Sequence, residues 1–219
     1  MEPQFWYDIW TERKIGFHRS DIHPMLRNHW HSLGCEGLDV LVPLSGKTLD
    51  MRWLASEGHT VTGIELDQRA VDEFFQEWQC QPAVHSRSDG LADHHSGNIH
   101  LLVGDFFGFR PGGQFEAFYD RAALIAMPEA MRADYLRKLA SLVAEGGVGL
   151  LITFEYPDSE MQGPPFPVRR PELDAQNWFR VKQLERQEVI GHYAHLREAG
   201  VTSLVETAYR LERTTEPAR

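Results

Sequence analysis

Leu38-Asp39-Val40-Leu41-Val42-Pro43-Leu44-Ser45-Gly46-Lys47-Thr48 passes from an aliphatic run through a proline and a glycine into the helical spacing of Leu49, Trp53 and Leu54. That order predicts a buried strand over 38–42, a tight turn, and a helix start. A turn of this kind leaves backbone N–H groups free at the carboxyl edge of a sheet, where open α/β folds hold their ligands. The same rhythm recurs outward from it. Further β-rich runs lie at 60–64, 100–103, 115–120 and 148–154. Between them, Val71, Phe74, Phe75 and Trp78 share one helix face, and Tyr135, Leu139, Leu142 and Val143 form another stripe, in a helical segment expected to stop at Gly146-Gly147. Strand alternating with helix predicts parallel strands joined by right-handed crossovers, an α/β sandwich.

The two ends of the chain depart from this rhythm. Short amphipathic helices are expected over 5–10 and 24–30, ahead of the sheet. Late strands are expected over 178–187 and 203–212, with a helical segment over 188–199 between them, which fits a sheet finished by an antiparallel pair. The polar segment 79–98 holds Pro82, two glycines and three histidines, and reads as an exposed excursion with no core of its own. With 219 residues, no internal repeat and no linker, a single domain is expected.

Three ligand classes can be weighed against the opening turn. Gly46-Lys47-Thr48 copies the end of a phosphate loop, but the place of the first glycine is taken by Leu41, inside the strand, which cannot form an anion nest. A dinucleotide fingerprint needs three glycines, and only Gly46 is present, so a nicotinamide oxidoreductase is disfavoured. S-adenosylmethionine has no phosphates and asks only that its methionine end approach the backbone. Glu65 follows the second strand and suits the two ribose hydroxyls of such a ligand. A plain turn glycine and a solvated strand-end acid are the bland alternatives.

Composition narrows the partners. A net charge of -10 repels a phosphate backbone, and the arginines at 169–170 and 180–186 form no basic stripe, so nucleic acid is not an expected partner. No apolar run is long enough for a bilayer, and the first residues lack a signal-peptide layout, so no membrane association and a cytoplasmic location are expected. Cys35 and Cys80 are far apart and suggest no disulfide framework. His94 and His95 are adjacent and point apart, and His192-x-x-His195 lacks the H-E-x-x-H pattern, so no metal site is expected. No apolar stripe is left over for self-association, and a monomer follows.

Several blocks taken together resemble the thiopurine S-methyltransferase family. They are Phe5-Trp6-Tyr7-Asp8-Ile9-Trp10, Ile15-Gly16-Phe17-His18, Val42-Pro43-Leu44-Ser45-Gly46-Lys47, Asp50-Met51-Arg52-Trp53-Leu54-Ala55, Gly63-Ile64-Glu65, Tyr119-Asp120-Arg121-Ala122-Ala123-Leu124 and Gly163-Pro164-Pro165-Phe166. The blocks stand in family order over most of the chain, and as a set they are specific. The resemblance implies a class I methyltransferase fold: a Rossmann-like α/β sandwich with a seven-stranded, mostly parallel sheet, its last strand antiparallel. Residues 1–37 would form an N-terminal helical lid.

The implied activity is S-adenosylmethionine-dependent methylation of thiopurines and other aromatic thiols, with S-adenosylhomocysteine as product and a detoxifying role. Trp6 and Trp10 would cover the cofactor, Leu44 and Gly46 approach its methionine end, Glu65 its ribose, and Phe106 and Phe107 its adenine. The general fold adds Asp105 near the adenine. Phe17 and Arg121 would contact substrate and cofactor and carry the catalytic roles. A second arginine near the substrate is implied close to the C-terminus, a place Arg197 or His195 could take. Ser45 stands where the family often has cysteine, and 79–98 follows the pattern poorly. Two competing readings remain: methylation of another soft nucleophile, such as a selenium or tellurium compound, and a non-catalytic module that binds S-adenosylmethionine.

Overall fold

Proline at the first helical position, where no backbone donor is needed, opens both N-terminal helices. In the computed structural model, which describes residues 2–34 and 36–214, α1 (Pro3–Thr11) buries Trp10. The second helix, α2 (Pro24–His29), buries Met25 and Leu26 and is capped by the His23 ring, which accepts the Met25 N–H at 3.2 Å. A 3-10 turn, Trp30–Leu33, continues it. The chain then alternates through β1 (Asp39–Pro43), α3 (Asp50–Ser56), β2 (Thr60–Glu65) and α4 (Gln68–Glu77). It goes on through β3 (Ala83–Ser86), β4 (Ala92–Ser96), β5 (Ile99–Val103) and β6 (Phe115–Arg121). Two compact units result, Met1–Tyr119 and Asp120–Arg219, with the division falling inside β6.

In the first unit the strands lie in the order β3-β4-β5-β2-β1-β6. The centre is parallel: β1 pairs with β2 and β6, and β2 with β5. Central strands covered on both faces read as apolar runs, and Val40, Leu41, Val61, Leu101 and Phe118 are fully buried. From α3 come Met51 and Leu54, and from α4 come Val71, Phe74 and Phe75. The segment 79–98 is more ordered than its polarity suggests. It forms the antiparallel hairpin β3–β4, and β4 joins β5 in antiparallel register from Ala92↔Val103 to Ser96↔Ile99. Backbone hydrogen bonding to β5 places it, although every residue of β3 is exposed.

The second unit begins beyond Tyr119 and contains α5 (Glu129–Leu142), β7 (Val143–Glu155), α6 (Arg170–Ala175), β8 (Phe179–Glu188), α7 (Ala194–Glu198) and β9 (Val205–Arg213). The last strand, β9, runs antiparallel to both neighbours in the order β7-β9-β8. Two boundaries differ from the sequence pattern. The stripe toward Gly146-Gly147 ends at Leu142, because β-branched Val143 adopts an extended backbone (φ -101, ψ 136). The segment 188–199 is not one helix: a 3-10 turn, Ile190–His192, is separated from α7 by Tyr193 at φ -117, ψ 69. Burying both Val189 and Leu196 against Tyr156, Val201 and Leu204 fixes this broken path. No helix among the described residues is long and apolar enough to cross a membrane. Cys35, part of the disulfide expectation, lies outside the described residues, and the Cys80 thiol is free.

Candidate active site

The turn after β1 is built on left-handed backbone. Leu44 has φ 46 and Gly46 φ 52, and the Ser45 N–H donates to the Ile64 carbonyl at 3.0 Å. Glycine carries such a φ without a Cβ penalty, whereas Leu44 is strained there. Sparsely populated backbone of this kind gathers at functional sites. Gly63, on β2, is needed for space instead. A Cβ there would come within 2.6 Å of Leu101, 2.7 Å of the Ser45 hydroxyl and 2.9 Å of the Met51 sulfur, so only glycine lets the turn close over the sheet.

Glu65 ends β2 beneath this turn and is buried. Its Oε2 accepts the Gly46 N–H at 2.8 Å and its Oε1 the Asp67 N–H at 2.9 Å. Burial pushes its carboxyl up to about 7, against the pull of these backbone donors. With the Leu66 backbone as a third donor, the roughly four lone-pair sites of a carboxylate still leave room for a hydroxyl without loss of the present bonds. That donor–acceptor match fits a ribose. Across the turn, an atom added at Gly46 would lie 3.6 Å from Trp10 and 3.8 Å from Phe17. The Trp10 and Phe17 rings meet edge to face at 5.9 Å, and Trp6 adds a further edge contact to Phe17 at 6.4 Å. The first unit therefore brings Trp6, Trp10, Phe17, Leu44, Gly46 and Glu65 together. Arg69 ties α1 to α4, donating to the Tyr7 carbonyl at 2.7 Å and to the Thr11 hydroxyl while pairing with Asp67.

The end of β5 lies beside Glu65: Val103 is its register partner, and the Gly104 N–H donates to its carbonyl at 2.8 Å. Asp105 is exposed and accepts the Phe107 N–H at 3.0 Å. Phe106 is buried and Phe107 half-buried, their rings in edge contact at 5.8 Å. Within the second unit, half-buried Arg121 is the last residue of β6 and is followed by Ala122 at φ 70. Asp120 is fully buried and accepts the Tyr135 hydroxyl at 2.7 Å and the Leu124 N–H at 3.1 Å. Burial raises its carboxyl to about 6. Arg197 and His195 are exposed on α7, whose buried face is Leu196.

Lys47 has a role that the spacing of its own segment did not disclose. Its ammonium, 5% exposed, pairs with Glu73 at 2.7 Å and Glu77 at 2.6 Å. Burial pulls Lys47 down, but the hydrogen bonds and charges of the two glutamates prevail and hold it above its ordinary value. It pins the turn to α4 and does not act as a phosphate-loop lysine. The available signal was the i,i+4 spacing of Glu73 and Glu77, which puts both on one helix face.

Comparison with known structures defines the class. The chain superposes on an arsenic(III) S-adenosylmethionine methyltransferase from Chlamydomonas reinhardtii with a TM-score of 0.58 at 19% identity, covering 83% of this chain and 65% of that one. It also matches Burkholderia thailandensis 1,6-didemethyltoxoflavin-N1-methyltransferase, solved with S-adenosylhomocysteine, at a TM-score of 0.57 and 16% identity, covering 96% and 83%. The fold is that of the class I S-adenosylmethionine-dependent methyltransferases. Sequence relationships then narrow it. The family model for thiopurine S-methyltransferase matches residues 1–214. Thiopurine S-methyltransferases of Shewanella amazonensis and Pseudomonas paraeruginosa are 46% and 43% identical, each over 97% of this chain and 100% of the relative. The chain belongs to the thiopurine S-methyltransferase family.

Proposed function

We propose that this chain catalyses S-adenosylmethionine-dependent S-methylation of thiopurines and related aromatic heterocyclic thiols, acting as a single domain. The observation that carries this reading is the buried Glu65 carboxylate, bonded to the Gly46 N–H of a turn walled by Trp10 and Phe17. When bound, S-adenosylmethionine supplies a sulfonium methyl for in-line displacement by a thiolate sulfur. Glu65 is positioned to accept ribose hydroxyls, and Leu44 and Gly46 to let the methionine end approach the backbone. Asp105, Phe106 and Phe107, next along the strand ends, suit the adenine.

Trp6, Trp10 and Phe17 form an apolar wall that excludes water from the nucleophile. Arg121 orients the electron-rich heterocycle, a role that needs a fixed cation and no proton transfer, because aromatic heterocyclic thiols ionise readily. Arg197 is assigned to the substrate side. Alignment of this kind can contribute about 7–11 kcal/mol to lowering the barrier.

The test is transfer of a labelled methyl group from S-adenosylmethionine to 6-mercaptopurine, with selenium compounds and aliphatic thiols in parallel. Turnover of the thiopurine supports the proposal. Preference for a selenium compound would reassign the substrate, and donor binding without turnover of any acceptor would make the chain a binding module. We further propose that it works as a monomer in the cytoplasm, in detoxification. Among the described residues the exposed large hydrophobic is Val84, too little for an oligomer face, and sedimentation velocity as a dimer would overturn the monomer.

A further inference from the structure

The β3–β4 hairpin brings together histidines that are scattered in the sequence. Register pairs His95 with His100 and His85 with Asp93. Side chains two apart along a strand, or directly opposite across a ladder, share a face. His85, Asp93, His95 and His100 therefore lie on one face of three adjacent strands. Asp93, His95 and His100 each offer a ligand atom within 4.8 Å of the others. The His95 ring stacks on His100 at 5.3 Å and lies 4.8 Å from His85.

We propose that Asp93, His95 and His100, with His85 as fourth ligand, form a binding site for a divalent transition-metal ion of the zinc type. Three imidazoles and one carboxylate are a donor set suited to Zn²⁺ and its neighbours, and not to Mg²⁺ or Ca²⁺, which take oxygen ligands. The geometry is close to what is needed. Two ligands bonded to zinc in a tetrahedron stand roughly 3.3 Å apart, and His100 Nδ1 and Asp93 Oδ2, hydrogen-bonded here at 3.0 Å, would exchange that bond for the ion with little change of spacing. A second observation points the same way: His95 Nδ1 is buried with no hydrogen-bond partner among the described residues. A buried nitrogen left so is costly unless something binds it. His94, the neighbour of His95, faces the other side and meets Gln68 at 3.2 Å, so it is not part of the set.

The site has a physical use. Every residue of β3 is exposed, and Val84 on it is 56% exposed, so the hairpin holds little buried apolar surface. An ion joining β3, β4 and β5 would fasten it to the sheet, in the way small metal-bound segments replace a missing core.

Zn²⁺ titrated calorimetrically into tag-free, chelator-treated full-length protein tests this, with amide hydrogen exchange as a second readout. One ion per chain and slower exchange over 83–103 are expected. His95→Ala combined with His100→Ala should abolish the binding, and Asp93→Asn should weaken it about tenfold, with circular dichroism confirming that each variant is folded. His192→Ala should bind as the wild type does. Absence of saturable one-to-one binding, equal affinity in the folded double variant, or exchange protection elsewhere in the chain would each overturn the site. If the double variant fails to fold, undiminished binding by Asp93→Asn and by His85→Ala overturns it.

Discussion

Glu65 and Asp120 are both buried acids at the ends of parallel strands, and burial raises both above the ordinary carboxylate range, to about 7 and about 6. Their partners differ. Glu65 is held by backbone N–H groups alone, those of Gly46, Asp67 and Leu66, which leave the carboxylate room for a further donor. Asp120 accepts backbone N–H groups of Leu124 and Ala123 and, in addition, the hydroxyl of buried Tyr135, which ties β6 to α5 within its own unit. The contrast teaches that burial and a shifted acid do not by themselves mark a binding group. The first acid shapes a turn that can take a ligand, and the second serves as a packed joint.

The largest effects expected from this contrast are on pH dependence. For each acid the protonated form is favoured in the fold, so the stability it contributes is present below its unfolded value and lost as pH rises through its folded value. That places the loss from about 4.5 to about 7 for Glu65 and from about 3.8 to about 6 for Asp120, about 3 kcal/mol each. Urea unfolding across this range should show a shallower decline in Glu65→Gln than in the wild type. An identical decline would place the Glu65 carboxyl at an ordinary value and remove half of the comparison.

Donor affinity separates the two acids most directly. Glu65→Ala should weaken S-adenosylmethionine binding about 100-fold, the loss of two hydrogen bonds to a charged group, as read by calorimetry. Tyr135→Phe should instead lower unfolding stability by about 2 kcal/mol, since Asp120 Oδ2 loses its hydroxyl, with donor affinity unchanged. A weaker donor in Tyr135→Phe would show that the joint belongs to the site. The smallest effect sharpens the assignment one residue on from Asp120. Arg121→Ala should lower kcat/KM for 6-mercaptopurine about tenfold and leave the donor Kd nearly unchanged. Equal losses in both would withdraw its role as a substrate-orienting group.

Much of the fold was legible because strand and helix periods are local. The alternation β1-α3-β2-α4, the strands β5 and β6 and the late antiparallel strands follow from it, and so does Glu65 at the end of β2. The break after Leu142 was harder to see, because Val143 fits a helical stripe and an extended strand equally well by polarity. The site was legible to a different depth at different residues. The family resemblance names Trp6, Trp10 and Phe17 from blocks separated in sequence, and in the structure both tryptophan rings meet Phe17 edge to face. Lys47 stands in a run that copies the end of a phosphate loop, and its partners, Glu73 and Glu77, lie on another element.

By itself the sequence determined the α/β alternation, the turn over 42–48 and the absence of a dinucleotide or phosphate fingerprint, since each depends on residues only a few positions apart. The tertiary structure alone decided that Gly63 must be glycine, that a polar excursion becomes a sheet-edge hairpin, and that His95 faces His100. Those outcomes rest on register and close approach between strands, which local spacing does not encode. The sequence put Glu65 at the end of a strand, and its backbone donors, Gly46 and Asp67 among them, came only with the folded turn.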